Sequence, residues 1–354
     1  MPLRQDMFSK ERVNFEEPLT LREIELLERD PYLQVLQTYS PVESKTWQLL
    51  NENLFARRHD VELRVYGVYS SICDLSFLKQ LVNVRHFTAD CLMKAVGIEY
   101  LAELVNLESL GVGIYDLNDF NFLANLPKDK IRKISLGATK SKQPRLDLLE
   151  RFQNLNVLYI EGQQKDIEVI SSLTRLEDLT LRSISPAGLS FVQNLQNLWS
   201  LDIKLGGIRD ISALEGLNQI KYLELWQVKG LSDINVISTM LGLQYLFLQS
   251  LRNVYSIPDL SKLTALRRIY LENMKGLKDI SLLSSAPSLQ EFIHVSATGM
   301  EPEDYEGLLK LSSLKKVSVG FGSTKKNCTF RALAARYGIS EYEHNTFIFA
   351  RSNN

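Results

Sequence analysis

Residues with chemical reach are few in this chain and stand far apart. There are four histidines, His59, His86, His294 and His344, and no two have the spacing that lets a pair of imidazoles close on one metal ion. The three cysteines, Cys73, Cys91 and Cys328, are few and odd in number, which predicts free thiols in small core positions rather than disulfides. Neither G-x-S-x-G nor H-E-x-x-H occurs, and no Cys/His arrangement offers an activated nucleophile. The run Gly320-Phe321-Gly322-Ser323-Thr324-Lys325-Lys326 has the composition of a phosphate-cradling loop without its G-x-x-x-x-G-K-[ST] spacing, and reads as a turn leaving a strand. No cofactor and no metal is expected. What remains is binding chemistry: the aromatics Tyr222, Trp226, Tyr245, Phe247 and Tyr270, with the charges Glu224, Arg268 and Glu272 among them. Their use depends on where the backbone points them.

The backbone is set by one short pattern, L-x-x-L-x-L, repeated twelve times between about residues 60 and 320. Clear copies stand at Leu107/Leu110/Val112, Leu155/Leu158/Ile160, Leu201/Ile203, Leu223/Leu225, Leu246/Leu248 and Ile269/Leu271. Weaker ones lie at Leu63/Val65, Val84/Phe87/Ala89 and Leu289/Phe292, the last with His294 in the third apolar place. Successive copies start 21 to 25 residues apart. Alternation of period two makes each copy a strand with one face inward, and a copy buries its apolar row only by stacking on its neighbours. Between strands recurs an Asp followed by a large apolar residue, as in Asp74-Leu75, Asp119-Phe120, Asp166-Ile167, Asp210-Ile211, Asp233-Ile234 and Asp279-Ile280. These acids are read as caps on short helical turns; as metal ligands they would be separated by whole repeats.

The strand and turn units resemble leucine-rich repeats of the short SDS22-like class, the unit that also builds the repeat core of bacterial internalins, over roughly residues 59–320. The resemblance implies an α/β solenoid: a horseshoe with a parallel concave sheet of about twelve strands and short helical turns on the convex side. One departure stands out. Where the family usually has Asn, this chain has Gly206, Val228, Leu251, Met274 and Ala297, so apolar packing must replace a buried amide ladder. SDS22-like proteins regulate a phosphatase, and internalins carry export and anchoring segments that this sequence does not show.

The ends are read as caps over the core. Segment 1–58 is expected to be a helical N-terminal cap, with a mobile tail to about Glu17, a capping box at Thr20-Leu21-Arg22-Glu23 stapled by Leu19 and Ile24, and a short second helix after Asp30-Pro31. A second capping box is read at Ser40-Pro41-Val42-Glu43, followed by a helix whose Trp47, Leu50 and Leu54 face one way. Residues 59–320 are the repeats. Segment 321–354 is expected to be a C-terminal cap, with a helix over Cys328 to Tyr337 and a strand over Thr346 to Ala350.

With this register the third, fifth and seventh positions of each copy face out. Near Ser109, Gly111, Gly113 and Gly137 the columns are nearly bare, which lets a partner backbone approach or relieves crowding. At Tyr222, Glu224, Trp226, Tyr245, Phe247, Arg268, Tyr270 and Glu272 they hold aromatics edged by charge, the composition of a protein-binding hot spot. The competing reading is that the rings pack on each other or under a loop. The columns hold eight acids and six bases, the wrong balance for tracking phosphates. A net charge of −1 argues against bulk attraction to nucleic acid or anionic membrane. The N-terminus is polar, and no apolar run is long enough to span a bilayer. The expectation is a non-enzymatic, cytoplasmic, monomeric protein-binding module that uses its concave face. The alternative is an enzyme or effector with a site in the caps, drawn from His344, Glu341, Glu343, Lys325 and Lys326.

Overall fold

The computed structural model describes residues 3–6, 9–16, 18–67 and 72–350. It forms two compact units, Met1–Leu176 and Glu177–Asn354. No helix among the described residues is long and apolar enough to cross a membrane.

In the first unit the strands follow one another side by side: Leu3–Asp6, Ser9–Phe15, Val35–Thr38, Glu62–Tyr66, His86–Leu92, Ser109–Ile114, Lys133–Leu136 and Val157–Glu161. The first pair is antiparallel and the rest are parallel. A separate two-stranded pair, Ile72–Asp74 with Lys94–Val96, lies on the return strokes. In the second unit the parallel strands are Asp178–Arg182, Ser200–Lys204, Tyr222–Trp226, Tyr245–Gln249, Arg268–Glu272, Glu291–Val295, Lys316–Val319 and Ser340–Glu341. All twelve expected strands form. Leu201, Leu223, Leu246 and Ile269 lie opposite one another in register and are fully buried, as the alternation requires.

The turns explain the spacing. The carboxylates of Asp74, Asp119, Asp210, Asp233 and Asp279 each accept the backbone N–H two residues on, at 2.8–2.9 Å, and so start the short 3-10 turns; Asp259 makes the same bond at 2.9 Å without a 3-10 turn after it. Hydrogen bonds from Ser212 and Ser281 hold Asp210 and Asp279 below the usual carboxylate range. Asp166 is the exception. It adopts a positive φ itself, and Arg145 takes its carboxylate. Where the amide ladder is lost, Val228, Leu251, Met274 and Ala297 are buried. A Cβ on Gly206 would meet the Ile184 carbonyl oxygen at 2.3 Å. Just before this column the chain turns through a left-handed residue in each repeat: Ser183, Leu205, Gln227, Ser250, Asn273 and Ser296. The N–H of Leu205, Gln227, Ser250 and Asn273 reaches the carbonyl at the end of the next strand at 2.8–2.9 Å. Backbone bonds thus tie each of these bends to the following repeat.

The ends depart from expectation in four places. Leu3–Asp6 and Ser9–Phe15 are strands rather than a mobile tail, the second anchored by the buried Phe15 and Val13; residues 1, 2, 7, 8 and 17 of that expected tail lie outside the described residues. After the helix Leu21–Arg29 comes the strand Val35–Thr38, not a helix. Leu33-x-x-Leu36-x-Thr38 is a further copy of the repeat, with Thr in the third apolar place. The capping box at Thr20 is present, with Thr20 N–H to Glu23 Oε2 at 2.8 Å. The one expected at Ser40 is absent, because the helix Ser44–Leu50 starts later, after an uncapped Glu43. Trp47, Leu50 and Leu54 are buried together as predicted. At the other end the helix spans Thr324–Arg336, but Thr346 to Ala350 is not a strand; the added strand is Ser340–Glu341. Two of the cysteines, Cys91 and Cys328, are exposed and Cys73 is half-buried, so none is the core residue expected.

Candidate protein-binding face

The out-facing columns of the second unit are where the register puts them. Tyr222, Glu224 and Trp226 alternate with buried Leu223 and Leu225, and Tyr245 and Phe247 alternate with buried Leu246 and Leu248. Parallel pairing sets Tyr222 beside Tyr245, Phe247 beside Tyr270, and Gln249 beside Glu272. The rings pair accordingly. Phe247 and Tyr270 stack at 4.7 Å with planes 13° apart, while Tyr222 and Tyr245 meet edge to face at 5.1 Å. Trp226 lies under the Arg182 guanidinium at 5.7 Å. Phe247, Tyr270 and Trp226 are half-buried, with ring surface open to solvent.

Charge on this face is organised rather than loose. Lys204 Nζ sits 3.0 Å from Asp202 and 3.2 Å from Glu224, and the Tyr222 hydroxyl donates to Glu224 at 2.7 Å. Burial, reinforced by Glu224, pushes the Asp202 carboxyl up to about 6. Glu272 accepts from the Gln249 amide at 3.0 Å.

Arg268 is the correction. The columns make it an open charge, yet it is only 3 % exposed. Its Nε donates to Glu291 at 2.6 Å, and its guanidinium also bonds the Asn345 side chain. The chain from Tyr342 to Ala350 lies over this part of the sheet. Phe347 packs on Tyr245 at 5.2 Å, and Phe349 packs on Trp199 at 5.2 Å and Tyr222 at 6.2 Å. A covering segment therefore lies over Tyr222, Tyr245 and Arg268, the competing arrangement to open rings, and does not extend by ring contact to Trp226, Phe247 or Tyr270. Trp199, Gln244 and Arg267 belong to the same face and were invisible in the columns. They occupy the second position of each copy, just before the strand proper. The alternation Asn345-x-Phe347-x-Phe349 was a usable signal; it reads as strand, and the segment is extended without joining the sheet.

In the first unit the bare region is a cavity of about 650 Å³ lined by Arg64, Asp90, Gly111, Gly113, Lys133 and Tyr159 among others. A Cβ on Gly111 would meet Thr88 Oγ1 at 2.5 Å, and one on Gly137 would meet Gly113 Cα at 2.9 Å. Close packing of neighbouring strands requires these glycines. Arg64 is bound to Asp90 at 2.8 Å and to Gln37 at 2.9 Å. Of the cap residues considered for catalysis, Lys326 is bound to Glu301 at 2.7 Å, and His344, Glu343 and Glu341 are exposed. Among the described residues no group of three His, Cys, Asp or Glu side chains could hold a metal.

Stacked parallel strands, one per repeat, with apolar residues at the L-x-x-L-x-L positions and 3-10 return turns define a leucine-rich repeat fold. Solved structures agree. An internalin (inlF) from Listeria monocytogenes superposes with a TM-score of 0.57 at 21% identity, over 88% of this chain and 87% of that one. A chain of the TLR13–ssRNA13 complex gives 0.55 at 15% identity over 88% of this chain, and one of the mouse RP105/MD-1 complex gives 0.54 at 15% over 80%. This chain spans about half the length of those two, 50% and 54%. No protein-family model matches the chain, and no curated protein is recognisably similar to it in sequence.

Proposed function

We propose that this protein is a non-enzymatic binding module, a scaffold, inhibitor or regulator, that takes a protein partner on the open face of the sheet in Glu177–Asn354. The observation that carries the reading is the row of Trp226, Phe247 and Tyr270. Three large rings stand half-exposed on adjacent strands where folding would accept small or polar side chains, and rings of this kind dominate binding energy at protein interfaces. Glu224, Glu272 and Arg182 border the row and supply orientation. The relatives in fold support a binding role: the RP105 structure is a complex with MD-1 and the TLR13 structure a complex with RNA. For this chain the charge balance favours a protein over RNA. A cytoplasmic location, for which three unpaired cysteines speak, and a monomeric state belong to the same reading.

The test is Trp226→Ala combined with Phe247→Ala. Both side chains are on the solvent side of the sheet, so the thermal midpoint should move little, and truncating two anchors should weaken partner capture by about 2 kcal/mol or more. Affinity purification from the native cell with mass spectrometry identifies the partner to be measured. Full capture by the folded double variant would place the interface elsewhere.

A further inference from the structure

We infer that residues 342–350 are an internal ligand. They occupy the site at which this face receives an extended protein segment bearing two aromatic side chains two residues apart, and a partner carrying such a segment displaces them. The inference rests on the open-face reading above and names the chemistry of the partner.

The segment is bound as a peptide is bound. Asn345, Phe347 and Phe349 point at the sheet while Thr346, Ile348 and Ala350 point away, Ile348 being 80% exposed. Phe349 enters between Trp199 and Tyr222. Phe347 lies on Tyr245 with the guanidinium groups of Arg267 and Arg268 at 4.8 and 4.9 Å from its ring, a setting that selects an aromatic over an aliphatic side chain. The backbone is read as well, between the two rings and just past the second. Gln244 accepts the Ala350 N–H at 2.8 Å and donates to the Ala350 carbonyl at 3.2 Å, and Arg267 donates to the Ile348 carbonyl at 2.8 Å. Contacts to backbone atoms tolerate any sequence and rings in slots specify one, which is the logic of extended-peptide recognition.

The same contacts make the segment releasable. Beyond Tyr342, whose N–H reaches Val317, it is held by side chains of the sheet rather than by a strand ladder. The open row of Trp226, Phe247 and Tyr270 lies beside it, so an incoming chain has a landing surface before displacement begins. A tethered segment competes at a high effective concentration, so it lowers the apparent affinity of any outside ligand until it is detached.

The experiment uses the full chain and a fluorescein-labelled peptide of residues 342–350. In the Phe347→Ala/Phe349→Ala chain the site is vacated, and the peptide should bind about tenfold or more tighter than to the unaltered chain; the same peptide with both phenylalanines replaced by alanine should bind neither. Equal binding to both chains, or none to the folded variant, overturns the inference. Hydrogen exchange on the unaltered chain gives a measure that needs no variant. Amides of 343–350 should exchange far faster than those of Tyr245–Gln249, and exchange only with global unfolding would make the segment a fixed cap. A dimer that falls apart on the double substitution would mean that a second copy's segment fills the site, and would count against occupancy within one chain. Failure of the open-face reading is separate: the peptide would bind the vacated site while Trp226→Ala/Phe247→Ala left partner capture intact.

Discussion

His294 stands where every neighbouring repeat has an apolar residue, and the structure shows what that exchange does. The ring is 1% exposed, with Nδ1 2.8 Å from the Tyr305 hydroxyl and Nε2 unpartnered among the described residues. Burial pushes it down to about 4 from an ordinary 6.5. Below pH 6.5 the unfolded chain takes up a proton that the folded chain refuses, so stability is full above that pH and drains as pH falls toward 4. At about 1.4 kcal/mol per unit, the window is worth roughly 3 kcal/mol. Urea midpoints across this range should fall in the unaltered protein and flatten in His294→Leu/Tyr305→Phe, which restores an apolar pair; an unchanged slope would show that His294 titrates normally. Asp202 runs the other way. Its carboxyl is raised to about 6 by burial and by Glu224, so its contribution is present below its ordinary value of 3.8 and lost as pH rises through 6. Asp202→Asn should therefore raise the thermal midpoint above about pH 7 and leave it unchanged at about pH 4. A loss at high pH would mean that the Lys204 ion pair outweighs the burial cost.

At the scale of strands and turns, the repeat was legible because stacking demands the same inward residue in every copy. Leu223, Leu246 and Ile269 could be placed on one core line from spacing alone. Leu246→Ala should cost about 2–5 kcal/mol, since the cavity opens between two neighbouring strands that cannot collapse independently; a wild-type melting temperature would contradict the register. Legibility failed where one apolar slot is filled atypically. Leu33-x-x-Leu36-x-Thr38 is hard to read as a repeat because its third place is Thr, and Asp30-Pro31 ahead of it has the pattern of a helix start. The strand Ser9–Phe15 hides among charges because only Val13 and Phe15 face the core. The face itself was half legible. Period-two alternation located Trp226, Phe247 and Tyr270, but no local rule says that a segment about a hundred residues downstream of Tyr245 will lie across it. The pairing of Gln244 with Ala350 joins residues 106 apart, beyond the reach of any periodicity.

For the molecule as a whole, charge decides what kind of partner the face can hold. The 354 residues carry 41 Lys and Arg against 42 Asp and Glu, so no long-range field gathers polyanions. Two of the bases in the out-facing columns of this unit are already engaged. Lys204 is shared by Asp202 and Glu224, and Arg268 by Glu291 and Asn345. A nucleic acid would have to break these pairs to gain phosphate contacts, and each phosphate neutralised would steepen the loss of affinity with salt. A protein held by aromatic burial faces no such penalty, because the apolar term is insensitive to moderate salt while exposed charge pairs are screened. The affinity of the native partner should therefore change less than about threefold between 50 and 200 mM salt, whereas a contact made through six or more phosphates loses about a thousandfold or more over that range. A steep slope for the partner, with retention on immobilised single-stranded RNA at 200 mM salt, would sink the aromatic-anchor account and move attention to the cavity around Arg64 and Lys133. A flat slope in both the unaltered chain and Phe347→Ala/Phe349→Ala, with partner affinity raised in the second, would assign the binding energy to the rings for which the tail and the partner compete.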